Sequence, residues 1–417
     1  MLTLAVKSLW NRKFTSILTL VSIALSVTLL LGVERIRNEA RVSFTNTISG
    51  TDLIVGARSG QIQLLLYSVF HIGNATNNIS WKSYQEIARD PNVKWTIPIS
   101  LGDSHQGYRV MGTNADYFEF FRFAGGHRLQ IEEGHPFKEV FDAVLGAEVA
   151  QALGYHIGDQ IILAHGAGKV SLIKHADKPF RVVGILKRTG TPIDQTIHVP
   201  LEGIEAIHID WKEGAPVPGQ SVSAENALRM DLSPKVITAF FVGLKSRIAA
   251  FSVQRNVNEY RPEPLLAILP GVALQELWDL IGVAEKALLI VTAFVVVVGL
   301  SGMLIALVTS LNERRREMAI LRSVGASPLY VFSLVVGESA MLTFAGVAIG
   351  VGLLYCLLIV GQPLILSAFG LFISISGVTI QEICMIGGVC LAGIVIGIVP
   401  AYQTYRYSLA DGMTIRL

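Results

Sequence analysis

The sequence predicts an α-helical membrane protein with four transmembrane helices and a large α+β domain inserted between the first and the second. Three observations carry this. Of 417 residues, 51% are hydrophobic and only 16% charged, against about 25% charged in an ordinary soluble chain. The deficit is local, because the ends are apolar and the middle is ordinary. The apolar ends hold runs long enough to cross a bilayer as a helix, which takes about 20 residues. The net charge of +2 is too small to imply nucleic acid or an acidic substrate.

Residues 1–13 are a short segment with Lys7, Arg12 and Lys13. Residues 14–33, FTSILTLVSIALSVTLLLGV, form the first span. A signal peptide is the competing reading, but the run is long for one and lacks a convincing small-residue cleavage site, so it is read as a retained helix. Residues 34–280 are soluble in character, and the charged stretch Glu34 to Arg41 continues the first helix as a stalk. Strand-like runs follow, beginning at Asp52, Tyr108, Gln160 and Phe180. Helical patterns interleave at Ser80–Arg89, with Ser80 as N-cap, at Ala147–Leu153 and at Ser233–Asn258. In the last of these, Ser233 supplies the cap and Pro234 the first helical position. The stretch 214–220, with Pro216 and Pro218, reads as a loop separating two lobes.

The second span is 284–310, and its helix begins well before the bilayer, near Leu274, as a second stalk. The third span is 329–360, a loop covers 361–379, the fourth span is 380–402, and 403–417 is the tail. Basic residues set the orientation. The N-terminal segment, the 311–328 segment with its four arginines, and the tail with Arg406 and Arg416 share one side, whereas 361–379 has no Lys or Arg. Both termini and 311–328 are therefore expected in the cytoplasm, with the insert outside.

Residues 311–328, LNERRREMAILRSVGASP, are the most charged run between two spans. Leu311, Met318 and Leu321 can share one helical face with Glu313, Arg314, Arg315, Arg316 and Glu317 around the rest. Gly325 stops that helix, and Ser327 caps the next with Pro328 at its first position. A docking knob for a soluble partner and an anchor on anionic lipid are both compatible with this pattern. Within the spans, Gly346 and Gly350, and Gly393 and Gly397, are spaced for close helix approach, although glycine is common in such helices anyway. Glu338 is the clearest ionisable residue inside a span, either structural or part of coupling.

Chemistry-bearing motifs are sparse. Gly166-Ala-Gly-Lys169 fails as a phosphate loop, since Leu163 stands where the first glycine belongs and Val170 where Ser or Thr belongs; it reads as a hairpin turn. No nucleophile elbow is present, so no catalytic residue and no cofactor are assigned to this chain. All nine histidines fall between His71 and His208 without a close ligand pair. They are expected to mark a soluble region rather than a metal site, and His127 and His135 are expected to be dispensable. Cys356, Cys384 and Cys390 read as small buried apolar residues.

NERRREMAILRSVGAS followed by a glutamate-bearing apolar helix resembles the signature region of MacB-type and lipoprotein-releasing, FtsX-like ABC permeases, the type VII mechanotransmission family. VKSLWNRKFTSILTLVSIALSV resembles that family's first helix, and GIVIGIVPAYQTYRYSLADGMTIRL its fourth helix and tail. VMGTNADYFEFF, AVLGAEVAQALGYHIGDQIIL and FRVVGILKRTGTPIDQTIHVPLEGI resemble its periplasmic core domain. Residues 212–270 match least.

The resemblance implies a bacterial inner-membrane permease with a periplasmic domain, paired with a second permease copy. It implies a separate ABC ATPase dimer, which would hold the ATP and Mg, and leaves room for a periplasmic adaptor, lipoprotein or outer-membrane partner. It assigns Glu313, Arg314, Arg315, Arg316, Glu317, Leu321, Gly325 and Ser327 to the ATPase contact. The implied function is to couple ATP hydrolysis to motion of the periplasmic domain, for export or envelope transport. The competing functions are regulation of a periplasmic cell-wall hydrolase and a histidine-dependent, metal-related envelope role.

Overall fold

A computed structural model of the chain describes residues 12–166, 175–212, 215–216, 222–313, 320, 323–369 and 377–406. The chain divides into two compact units, Met1–Ala40 with Gly282–Leu417, and Arg41–Ile281. Among the described residues, four helices are long and apolar enough to cross a membrane. They are contained in Lys13–Thr47, Pro270–Glu313, Pro328–Phe369 and Ile380–Arg406.

In the first unit, Ile23, Val27 and Leu31 of the first helix meet Leu300, Met303 and Leu307 of the second and Leu342, Val347 and Leu354 of the third. In the first two helices these residues recur every three or four positions, and in the third Val347, Val351, Leu354 and Leu358 do the same, so each helix turns one stripe inward. Two expectations need correcting. The third helix runs through to Phe369, so the first half of the expected 361–379 loop is helical, and Gly361 and Pro363 do not end it. The first helix runs on through Glu34 to Arg41, and within it Glu34 and Arg35 are buried, 2% and 3% exposed, each in an ion pair. Cys356 and Cys384 are exposed on outer helix faces rather than buried.

The second unit is built on one mixed sheet of eleven strands. Its main path runs Leu265–Ile268, Leu53–Ala57, Ala239–Leu244, Val93–His105, Tyr108–Thr113, Thr196–Pro200, Asp142–Leu145, Phe180–Leu186 and Ile131–Gly134. Thr196–Pro200 is parallel to Tyr108–Thr113, and Phe180–Leu186 is parallel to Asp142–Leu145. The short strand Ala164–His165 pairs antiparallel with Val93–His105 off this path. Alternation at period two feeds two cores, one on each face. Ile54 and Phe241 enter one, while Leu53, Val55, Phe240 and Val242 enter the other.

The helices at Trp81–Ala88 and Ala147–Leu153 form where the sequence predicts them, and Ser80 caps the first by accepting from the Ser83 amide. The helix expected over Ser233–Asn258 does not form as one element. Val236–Ile237 and Ala239–Leu244 are strands, Arg247–Ala249 is a 3₁₀ turn, and only Ala250–Asn258 is helical. Ala239–Leu244 is buried on both faces, which erases the alternation that would reveal a strand, and its Phe and Val residues favour the sheet. The loop expected at 214–220 lies outside the described residues except for Ala215–Pro216, a short strand, and it does not divide the domain into two lobes. Strands before and after it, Thr196–Pro200 and Ala239–Leu244, belong to the same sheet.

Candidate functional site

The 311–328 segment is described only at its ends. Arg314, Arg315, Arg316, Glu317 and Leu321 lie outside the described residues, and Glu313 is the last residue of the second long helix. Gly325 has φ of +100°, a left-handed conformation that suits glycine and ends the segment. Ser327 Oγ accepts from the Tyr330 amide at 3.2 Å, and the third helix starts at Pro328. That end therefore has a fixed exit angle, set by a glycine stop and a serine–proline start.

The small residues of the spans lie where helices come close. A Cβ at Gly346 would stand 2.7 Å from Ile23 Cγ2, and one at Gly350 would stand 2.7 Å from the Ala24 carbonyl oxygen. Thr28 Oγ1 donates to the Gly350 carbonyl at 2.9 Å across the same contact. Gly393 faces Thr343 and Gly397 faces Ser339, each with room for no Cβ. Ser339 Oγ donates to the Gly393 carbonyl at 2.7 Å. Glu338, beside Ser339, is 2% exposed.

An ionic group missing from the sequence reading lies at the other end of these helices. Arg35 of the first helix stands 3.4 Å from Glu382 of the fourth, and both side chains are buried. The Arg35 guanidinium also lies over the Tyr355 ring, 5.5 Å from its centroid. The other carboxylate oxygen of Glu382 accepts from the Thr379 amide at 2.7 Å, and Thr379 Oγ1 accepts from the Glu382 amide at 3.3 Å. This reciprocal capping box opens the fourth helix. Thr379-x-x-Glu382 is legible in the sequence; its partner Arg35 is not.

The ectodomain brings together Asp103, His165, His175 and His208, whose ligand-type atoms all lie within 4.8 Å of one another. Asp103 and His165 are cross-strand partners. His208 ends the helix Leu201–His208, and its Nδ1 sits 2.9 Å from the Ile204 carbonyl. His175 is held by its amide, which donates to the Leu163 carbonyl at 2.9 Å. Trp211 packs against all three imidazoles, with ring centroids 5.0, 4.8 and 5.2 Å away. Burial works to raise the Asp103 carboxyl, but hydrogen bonding and charge from His165 and His208 outweigh it and hold it at about 2. Burial, with the adjacent His208, pushes His175 down to about 4. Burial would also lower His208, yet Asp103 lifts it above the ordinary imidazole range. His127 and His135 are exposed and stand outside this group. The four residues are far apart in sequence, so only the strand pairing and the helix end unite them.

Two family models match the chain. One, described as MacB-like periplasmic core domain, matches residues 16–260, more than half of the chain. The other, described as FtsX-like permease C-terminal, matches residues 289–409. The pyoverdine export ATP-binding/permease protein PvdT of Pseudomonas fluorescens is 21% identical over 346 residues, 79% of this chain and 47% of its own length. The lipoprotein-releasing system transmembrane protein LolC of Neisseria meningitidis is 22% identical over 214 residues, 51% of this chain and 46% of its own length. The chain thus spans about half the length of the curated relatives it matches. Among solved structures, the periplasmic region of MacB from Actinobacillus actinomycetemcomitans aligns at 12% identity and a TM-score of 0.33, covering 55% of this chain and 94% of that one. The extracellular domain of the noncanonic ABC-type transporter YknZ from Gram-positive bacteria aligns at 13% identity and 0.30, covering 52% and 99%.

Proposed function

The chain belongs to the family of MacB/FtsX-type ABC permeases, and from that membership we propose that it couples ATP hydrolysis by an ABC ATPase dimer to motion of its periplasmic domain. Two permease copies and the ATPase form the working unit, and the cargo is an envelope substrate moved by export or transport. The names of PvdT and LolC point to different cargo, pyoverdine and lipoproteins, so the substrate is assigned no more finely. No catalytic role is given to this chain's own residues.

The observation that carries this reading is helix length. The first and second long helices have 35 and 44 residues, or about 50 and 65 Å at 1.5 Å per residue. A bilayer needs about 30 Å. Each helix runs on without a break into the residues of the ectodomain unit, and a continuous helix transmits displacement along its axis. Both termini and the 311–328 segment are placed in the cytoplasm, as the basic residues favour. There Glu313 to Ser327 meets the ATPase, with Glu317, Leu321 and Gly325 at the centre of the contact and Glu338 just inside the membrane behind it.

The test is charge reversal of Arg314, Arg315 and Arg316 to Glu. Co-purification with the ATPase is expected to be lost while membrane insertion stays normal. Complex formation at the wild-type level removes the docking role.

A further inference from the structure

We propose that Asp103, His165, His175 and His208 form a binding site for a divalent transition-metal ion of the zinc class. The inference stands apart from the transport reading, since it rests on the geometry of four side chains in one domain. Three of the ligand-type atoms make a nearly equilateral triangle. His165 Nδ1 lies 3.2 Å from His208 Nε2 and 3.3 Å from Asp103 Oδ1, and His208 Nε2 lies 3.5 Å from that same oxygen. Hydrogen bonds account for the two edges that meet at Asp103 Oδ1, which can accept from both imidazoles, but not for the edge between the two ring nitrogens. A ring nitrogen directed at the carboxylate cannot also be directed at a neighbour about 60° away. A shared central ion accounts for it directly. Zinc–nitrogen bonds of about 2.0–2.1 Å place neighbouring ligands of a tetrahedron about 3.4 Å apart.

The fourth ligand and the supporting groups agree. His175 is 3% exposed, and its Nε2 is buried without a hydrogen-bond partner among the described residues. Such a nitrogen is costly to bury unless something meets it. With the Ile204 carbonyl receiving the Nδ1 proton of His208, Nε2 is the nitrogen turned inward to the Asp103 carboxylate. A metal ion there takes the place of the Nε2 proton that otherwise joins the two. The same second contact fixes the ring of a metal-bound histidine. Three imidazoles and one carboxylate suit zinc and its neighbours rather than calcium or magnesium, which take oxygen sets. The indole of Trp211 walls the cluster and limits water at the ion.

The experiment uses the full chain purified in detergent, stripped with a chelator and titrated with zinc, with bound metal measured by elemental analysis. One zinc per chain is expected, and cobalt in its place is expected to give the intense visible bands of a four-coordinate ion. His165→Gln, His175→Gln and His208→Gln should each weaken binding by at least about tenfold, while the double variant His127→Ala, His135→Ala should bind as wild type. The His165 side chain is 42% exposed, so its replacement leaves the core packed and keeps the test decisive if a buried variant folds poorly. No stoichiometric zinc, or binding unchanged in His165→Gln, overturns the proposal and assigns any metal to surface histidines.

Discussion

His198 shows how one residue writes a pH dependence into the ectodomain. It is wholly buried, its Nδ1 faces the Val144 carbonyl at 3.3 Å, and its ring stacks on Tyr117. Burial, reinforced by the charge of nearby His71, pushes it down to about 3. The unfolded chain takes up a proton there near pH 6.5, but the folded domain resists until about pH 3. The stability contributed by this group is therefore complete above pH 6.5 and is lost as pH falls through that window. Between pH 7.5 and 5 the loss amounts to about 2 kcal/mol. Thermal unfolding of the purified protein should show a lower ectodomain midpoint at pH 5, and His198→Gln should flatten part of that difference. A midpoint that does not move between the two pH values removes the assignment. The sequence does not distinguish His198 from His165: both are single histidines in strand-like runs. Burial separates them, and burial depends on which strand lies in the middle of the sheet.

Among the elements, the fourth helix draws its starting point from both local and distant residues. Thr379 and Glu382 cap it locally, whereas Glu382 is neutralised by Arg35, 347 positions away. Removing one partner leaves the other charge buried without its counterion, at a cost of about 3 kcal/mol or more. Arg35→Leu should lower the yield and thermal stability of the solubilised protein, and adding Glu382→Gln should restore part of both. If the double variant is no better than the single, the pair is not the cause. The long helices, the turn at Gly325 and the cap at Ser80 were legible because each is specified by neighbours in sequence. The strand Ala239–Leu244 was not, because a doubly buried strand and a buried helix share one apolar pattern. The metal-type cluster was not either, because its register belongs to strand pairing.

For the whole molecule, the proposed coupling demands stiffness between the two units. Gly282 lies within the second long helix, at the edge of the membrane unit, and a side chain there meets nothing within 4 Å. Gly282→Pro therefore meets no neighbouring element, but its ring clashes with the Trp278 carbonyl of its own helix and removes a ladder hydrogen bond, a defect of about 3 kcal/mol. The variant should insert and bind its ATPase, yet lose any nucleotide-dependent change in protease sensitivity of the ectodomain. A wild-type response would show that the helix need not be rigid. The family was legible because its motifs lie in the spans, in the 311–328 segment and in the ectodomain before residue 212, while the cargo was not, since no motif in this sequence names it.

The distance in sequence between Arg35 and Glu382 also bears on biosynthesis. Arg35 enters the membrane with the first helix, and Glu382 follows only after nearly the whole chain has been made. A nascent chain that stops short of the fourth helix carries Arg35 without that carboxylate, in a setting where an uncompensated charge is expensive. Burial of Arg35 with its counterion therefore waits for the fourth helix, so this end of the bundle takes its final arrangement only when the last helix arrives.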